Sequence, residues 1–138
     1  MENLSKYDED FFLFLEGGFI AINQADEDAA LKMFKVCELL RPDNTLTTVG
    51  LGYLHLHKLE LKAAIERFRT VIAKEPDNVM AQTFLGIALS LTPDQVTEGE
   101  KILENAAKKS NDADVKKVAT TALDFVDEFV KKTGAPPR

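Results

Sequence analysis

The chain has 138 residues, of which 45% are hydrophobic and 29% charged, a globular composition that excludes an intrinsically disordered class. Its 17 Lys+Arg face 23 Asp+Glu, a net charge of −6, which argues against nucleic acid and anionic membrane as main partners because both need a positive footprint. One cysteine allows no internal disulfide, two histidines and that cysteine leave little material for a metal site or a nucleophilic triad, and no apolar run nears the roughly 18–20 residues that cross a bilayer.

The first ten residues lack the basic start and continuous apolar stretch of a signal peptide. With the lone Cys37, the expected compartment is a reducing cytoplasm. A first helix is expected over residues 8–23. It is apolar nearly all round, since Phe11-Phe12-Leu13-Phe14-Leu15 is followed by Phe19-Ile20-Ala21-Ile22, and such a helix must be covered on every side. A second helix is expected over 27–40, with Asp26, Glu27 and Asp28 supplying negative charge where the helix dipole favours it. Pro42 stops that helix. Asn44 can cap a third helix over 45–57, a fourth follows over 61–74, and Asn78 can cap a fifth that opens at Val79. Thr92-Pro93-Asp94-Gln95 reads as a capping box with proline at the first helical position of a sixth helix. A last helix is expected over 112–132, with the stripe Val115, Val118, Ala119, Ala122, Leu123, Val126, Phe129 and Val130. Lys116, Lys117, Asp124 and Asp127 suit its outer face. Lys131 and Lys132 suit its C-terminus, Gly134 can end it, and 133–138 reads as a frayed tail.

These elements repeat. Pro42-Asp43-Asn44 recurs as Pro76-Asp77-Asn78 after 34 residues, and in the same register Gly18 aligns with Gly52 and Gly86, Ala30 with Ala64, Phe34 with Phe68, and Cys37 with Val71. Each unit is two helices. The glycine lets the partner helix approach, the alanine does the same from the other side, and the phenylalanine fills the gap. One unit cannot bury its apolar surface alone, so units must stack. In the third unit the small–large–small set is Gly99, Leu103 and Ala106, one place late, and no proline closes it. That spacing predicts a turn one residue longer.

On the period, the Leu-Gly steps Leu51-Gly52 and Leu85-Gly86, the Ala-x3-Phe pairs Ala30/Phe34 and Ala64/Phe68, and the closing prolines, the chain resembles a tetratricopeptide repeat (TPR) array. The resemblance implies an all-α fold, a TPR-type helical-hairpin solenoid with repeats at about 11–44, 45–78 and 79–111 and a capping helix at about 112–132, in one domain. It also implies a concave groove lined by Phe12, Leu15, Phe19 and Ile22, then Leu46, Val49, Tyr53 and Leu56, then Met80, Thr83, Ile87 and Ser90. Ten of these twelve are apolar, where the chain average gives about five. The positions at which many TPR domains carry a basic clamp for acidic C-termini hold Leu15, Phe19, Gly50, Met80 and Phe84, so an acidic-tail adaptor is not expected. The groove instead suits an apolar helix or extended segment.

Other chemistry has little support. His55 and His57 are two apart and do not share a helix face. Cys37 occupies a small core position and reads as a buried thiol. Gly17-Gly18 falls mid-helix and is no phosphate loop. No enzyme activity, cofactor or metal is expected. The size, repeat count, apolar groove and the segment Gly50-Leu51-Gly52-Tyr53 make the chain similar to bacterial type III secretion chaperones with TPR folds, of the needle-subunit or translocator kind. That resemblance implies a cytoplasmic chaperone holding a hydrophobic secreted client, working with a small co-chaperone. The alternative is a general TPR interaction scaffold or a homodimeric assembly factor. Neither nucleic acid nor membrane insertion is expected.

Overall fold

The computed structural model describes residues Glu2–Lys131. Of the sequence expectations, Lys132, Gly134, the tail 133–138 and the side chains of Phe129 and Lys131 lie outside the described residues. Among the described residues the chain is all-helical. A 3-10 helix (Glu2–Asp10) leads into α1 (Phe11–Asn23), α2 (Glu27–Leu40), α3 (Thr45–His57), α4 (Leu61–Lys74), α5 (Val79–Ser90), α6 (Val96–Lys109) and α7 (Ala113–Phe125), and a π-helical stretch (Val126–Lys131) follows. The chain divides into two compact units, Met1–Glu60 with α1–α3 and Leu61–Arg138 with α4–α7.

The turn chemistry explains why the helices stop where they do. After α1, the Asp26 amide donates to the Ala21 carbonyl at 2.8 Å and the Ala25 amide to Ile22 at 2.9 Å. Thirty-four residues on, after α3, Glu60 donates to His55 at 2.9 Å and Leu59 to Leu56 at 3.0 Å. This is the Schellman closure, which requires one residue in the left-handed region and usually takes glycine. Here Ala25 and Leu59 fill it, each at φ 59°, and Asp94 takes φ 69° before α6. Asp94 lies 35 residues after Leu59, and α6 begins 35 after α4, one place late as the spacing predicts; the turn itself grows by two residues, 91–95 against 58–60, because α5 also ends one residue early. The turns after α2 and α4 repeat as well. Arg41 donates to Cys37 and Asn44 to Arg41; Glu75 donates to Val71 and Asn78 to Glu75. The Asn44 and Asn78 side chains cap α3 and α5, accepting from the amides of Leu46 and Ala81 at 2.9 Å each.

Three boundaries differ from expectation. α1 begins at Phe11, because residues 8–10 belong to the tighter 3-10 helix. That helix packs on α1 and α2, where the Arg41 Nε holds the Asp8 carboxylate at 3.2 Å and its Nη2 donates to the Asp8 carbonyl at 3.1 Å. The capping box at Thr92 does not form. The Thr92 hydroxyl instead donates back to the Ala88 carbonyl of α5 at 2.7 Å, and α6 begins at Val96. The last helix is α-helical to Phe125 and widens to π geometry beyond it, so its stripe does not keep one period.

In the first unit, α1 packs on α2 and α3, and α2 on α3. Their common point is Phe34, fully buried between two glycines. A Cβ placed on Gly18 or on Gly50 would lie 2.5 Å from Phe34 Cε1. Phe11, Leu15, Ile22, Cys37, Leu51 and Leu54 complete this core. Cys37 is sealed there, its thiol directed at the Phe11 carbonyl at 3.8 Å, and burial pushes its pKa up to about 11.

In the second unit, α5 packs on α4, α6 and α7, and α6 on α7. Leu103 takes the place that Phe34 has in the first unit: a Cβ on Gly86 would meet Leu103 Cγ at 2.8 Å. Gly99 lies still closer to its neighbours, where a Cβ would be 2.6 Å from the Ser90 amide nitrogen and 2.7 Å from the Gly86 carbonyl oxygen. The backbones of α5 and α6 are thus in contact at this crossing. Ala106 and Ala119 extend the core to α7.

Candidate functional site

The surface that the fold leaves unexplained belongs to α1. One side of this helix, Phe11, Leu15, Gly18, Ala21 and Ile22, enters the core. At 100° per residue the opposite side carries Phe12, Leu13, Glu16, Ile20 and Asn23, all exposed. Phe12, Leu13 and Ile20 are 55%, 66% and 48% accessible. Amphipathic helices place polar residues on such a face; here three large apolar side chains surround a single carboxylate. The 3-10 helix does not close over them.

The expected groove residues fall into three groups. Leu15, Ile22, Val49, Leu56 and Thr83, as well as Ser90, are buried. They form packing rather than contact surface, and a guest could reach them only if helices parted. Phe19, Leu46, Tyr53 and Ile87 are half-buried, and Phe12 and Met80 are exposed. The clearest feature of the half-buried group is an aromatic row on α1 and α3. Phe19 meets Phe34 edge-on at 5.8 Å and Tyr53 at 5.4 Å, and Tyr53 meets the His57 ring at 4.4 Å. The Tyr53 hydroxyl donates to Asn23 Oδ1 at 2.9 Å, and burial raises its pKa. Phe19 and Tyr53 therefore brace α1 against α3.

The edges of the first unit are tied by charge. The Arg41 guanidinium stacks over Phe11 at 4.6 Å and Phe12 at 5.3 Å while it holds Asp8. Lys58 Nζ reaches Glu27 at 2.7 Å and Glu60 at 3.4 Å, and the Glu27 hydrogen bond raises the Lys58 pKa. His55 is half-buried, its Nδ1 2.8 Å from Glu60 Oε1, and this bond lowers the Glu60 pKa. The two histidines thus serve a turn and a ring contact.

The second unit has its own shallow apolar depression of about 250 Å³, lined by Met80, Thr83 and Phe84 of α5 and by Asp112, Asp114, Val115 and Val118 at the start of α7. Asp112 is occupied as a cap, its Oδ1 accepting from the amides of Asp114 and Val115 at 2.8 and 3.3 Å. Among the described residues no group of three or more His, Cys, Asp or Glu could hold a metal ion, and no helix is long and apolar enough to cross a membrane.

Sequence reasoning missed Leu13 and Ile20 as site residues. The signal was present in the all-round apolarity of α1, but the repeat register gave those positions no role. No protein-family model, curated protein or solved structure matches the chain.

Proposed function

We propose that the chain is a non-enzymatic binding protein of the chaperone type, which covers an apolar helical segment of another polypeptide with the outer face of α1. The observation that carries this reading is the exposure of Phe12, Leu13 and Ile20 on a helix whose other side is already core. A patch of that kind on a small acidic chain marks an interaction surface. The mode is helix against helix, with the aromatic anchor Phe12 at one end. The 34-residue recurrence of turn bonding, and the glycine-flanked Phe34 and Leu103, support the TPR reading of the fold. The resemblance to type III secretion chaperones then makes a self-assembling, amphipathic export subunit in a bacterial cytoplasm the client class to test first. Covering its apolar face would keep it from polymerising.

The test is suppression of assembly. An amphipathic helical hairpin that aggregates alone, followed by light scattering, should stay soluble at an equimolar ratio of this protein. The double variant Leu13→Asp/Ile20→Asp should lose that effect while its far-UV circular dichroism is unchanged. Equal protection by the variant would move the site elsewhere, and no protection by either protein would end the chaperone reading.

A further inference from the structure

Glu16 lies at the middle of the α1 outer face, both along the helix and around it. Its neighbours one turn away are Phe12, Leu13, Phe19 and Ile20, all apolar. Its side chain is exposed, and among the described residues no cation pairs with it. Of the nearby cations, Lys6 lies over the Tyr7 ring at 5.2 Å, and Arg41, stacked on Phe12, holds Asp8. The wider setting has the same sign. Residues 1–60 contain eleven acidic and five basic residues, whereas 61–138 contain twelve of each, so the whole net charge of −6 belongs to the first unit.

Any partner that covers Phe12, Leu13 and Ile20 must also take water from this carboxylate. A desolvated carboxylate without a counter-charge opposes binding strongly. A second copy docking by the same face about a twofold axis would set Glu16 against its own counterpart, which adds like-charge repulsion. Resting on the function proposed above, we infer that Glu16 selects the partner: the face accepts a helix that carries a lysine or arginine within its apolar stripe and rejects a second copy of this chain. The carboxylate thus acts through repulsion of wrong partners as well as attraction of the right one.

The experiment uses the full chain and three synthetic helical peptides with an identical leucine–alanine stripe, differing at one central stripe position as lysine, glutamine or glutamate. Affinities are read by fluorescence anisotropy at low and physiological salt. The lysine peptide should bind about five-fold tighter than the glutamate peptide, an advantage that shrinks with added salt, and Glu16→Lys should reverse the order. Glu16 is exposed and lysine is as good a helix former, so the variant should keep its fold, checked by circular dichroism. Sedimentation should show a monomer at about 100 μM, well above the Kd range of a specific interface. Equal binding of all three peptides to both proteins would overturn the inference and leave the proposed function standing. Failure of every peptide to bind would remove the proposed function, and the inference with it. A dimer dispersed by Leu13→Asp would also overturn the inference, because the occupant would then be a second copy.

Discussion

The two units solve the same packing problem with different residues. In the first, a phenylalanine ring enters between two glycines on neighbouring helices, Gly18 of α1 and Gly50 of α3. In the second, the smaller Leu103 faces Gly86, and the helices close further until Gly99 brings α6 against the α5 backbone. Side-chain volume and backbone approach trade against each other at equivalent places. The surfaces differ more than the cores. The first unit carries all the net charge and a bare apolar helix face, while the second is neutral overall. The repeated residues set the helix ends and the core contacts, and those that do not repeat leave one unit an exposed apolar helix face.

Exchanging residues between equivalent positions tests this comparison. The largest effect is expected from Gly99→Ala, which gives the second unit the alanine that the first has at Ala30. The new methyl meets backbone that cannot give way, so a loss of about 3 kcal/mol should appear in urea unfolding. A loss under about 0.5 kcal/mol would mean that the α5–α6 crossing is not tightly held. Next is Cys37, whose equivalent is Ala106. The folded state holds the thiol proton up to about pH 11, against an ordinary value of 9.0. The fold therefore binds that proton more tightly than the unfolded chain. This contribution is complete below pH 9 and is lost as pH rises toward 11, by up to about 2 kcal/mol. Cys37→Ala should flatten that decline, measured as the melting temperature at pH 8, 9, 10 and 11.

Phe34→Leu copies Leu103 into the first unit without the closer helix approach that goes with it. A gap should remain beside Gly18 and Gly50, at a cost of about 1.5 kcal/mol. If stability is unchanged, the glycine pair is not specific for the ring. Ala25→Gly and Leu59→Gly should each stabilise by about 1 kcal/mol, since both residues hold a left-handed conformation that glycine adopts without strain. Leu59 is also 69% exposed, so its removal forfeits little packing. The smallest change in stability, within about 0.5 kcal/mol, is expected from Leu13→Asp/Ile20→Asp, although binding should fall more than tenfold.

Much of the fold was legible in the sequence because its signals are local. Pro42, Asn44, Pro76 and Asn78 act within a few residues of themselves, and α2, α3 and α4 have the expected bounds. The displaced triad Gly99, Leu103 and Ala106 announced the longer turn, since helix packing fixes the order of small and large residues. Local signals also misled. Thr92-Pro93-Asp94-Gln95 has the composition of a helix start, yet the Thr92 hydroxyl finds a nearer acceptor in α5. The role of Gly50 was also hidden, since only a ring arriving from another helix gives it meaning.

The site was harder to read. A repeat register assigns groove positions by number, and six of the twelve positions it named are buried: Leu15, Ile22, Val49 and Leu56 serve the core, and the Thr83 and Ser90 hydroxyls donate back to carbonyls of α5. From the sequence alone came helices, turns, the repeat and an α1 apolar on every side. Tertiary packing decided which side of α1 is spent on the core and which remains in water, since exposure depends on neighbours far away in the chain. That choice left Phe12, Leu13 and Ile20 exposed around Glu16.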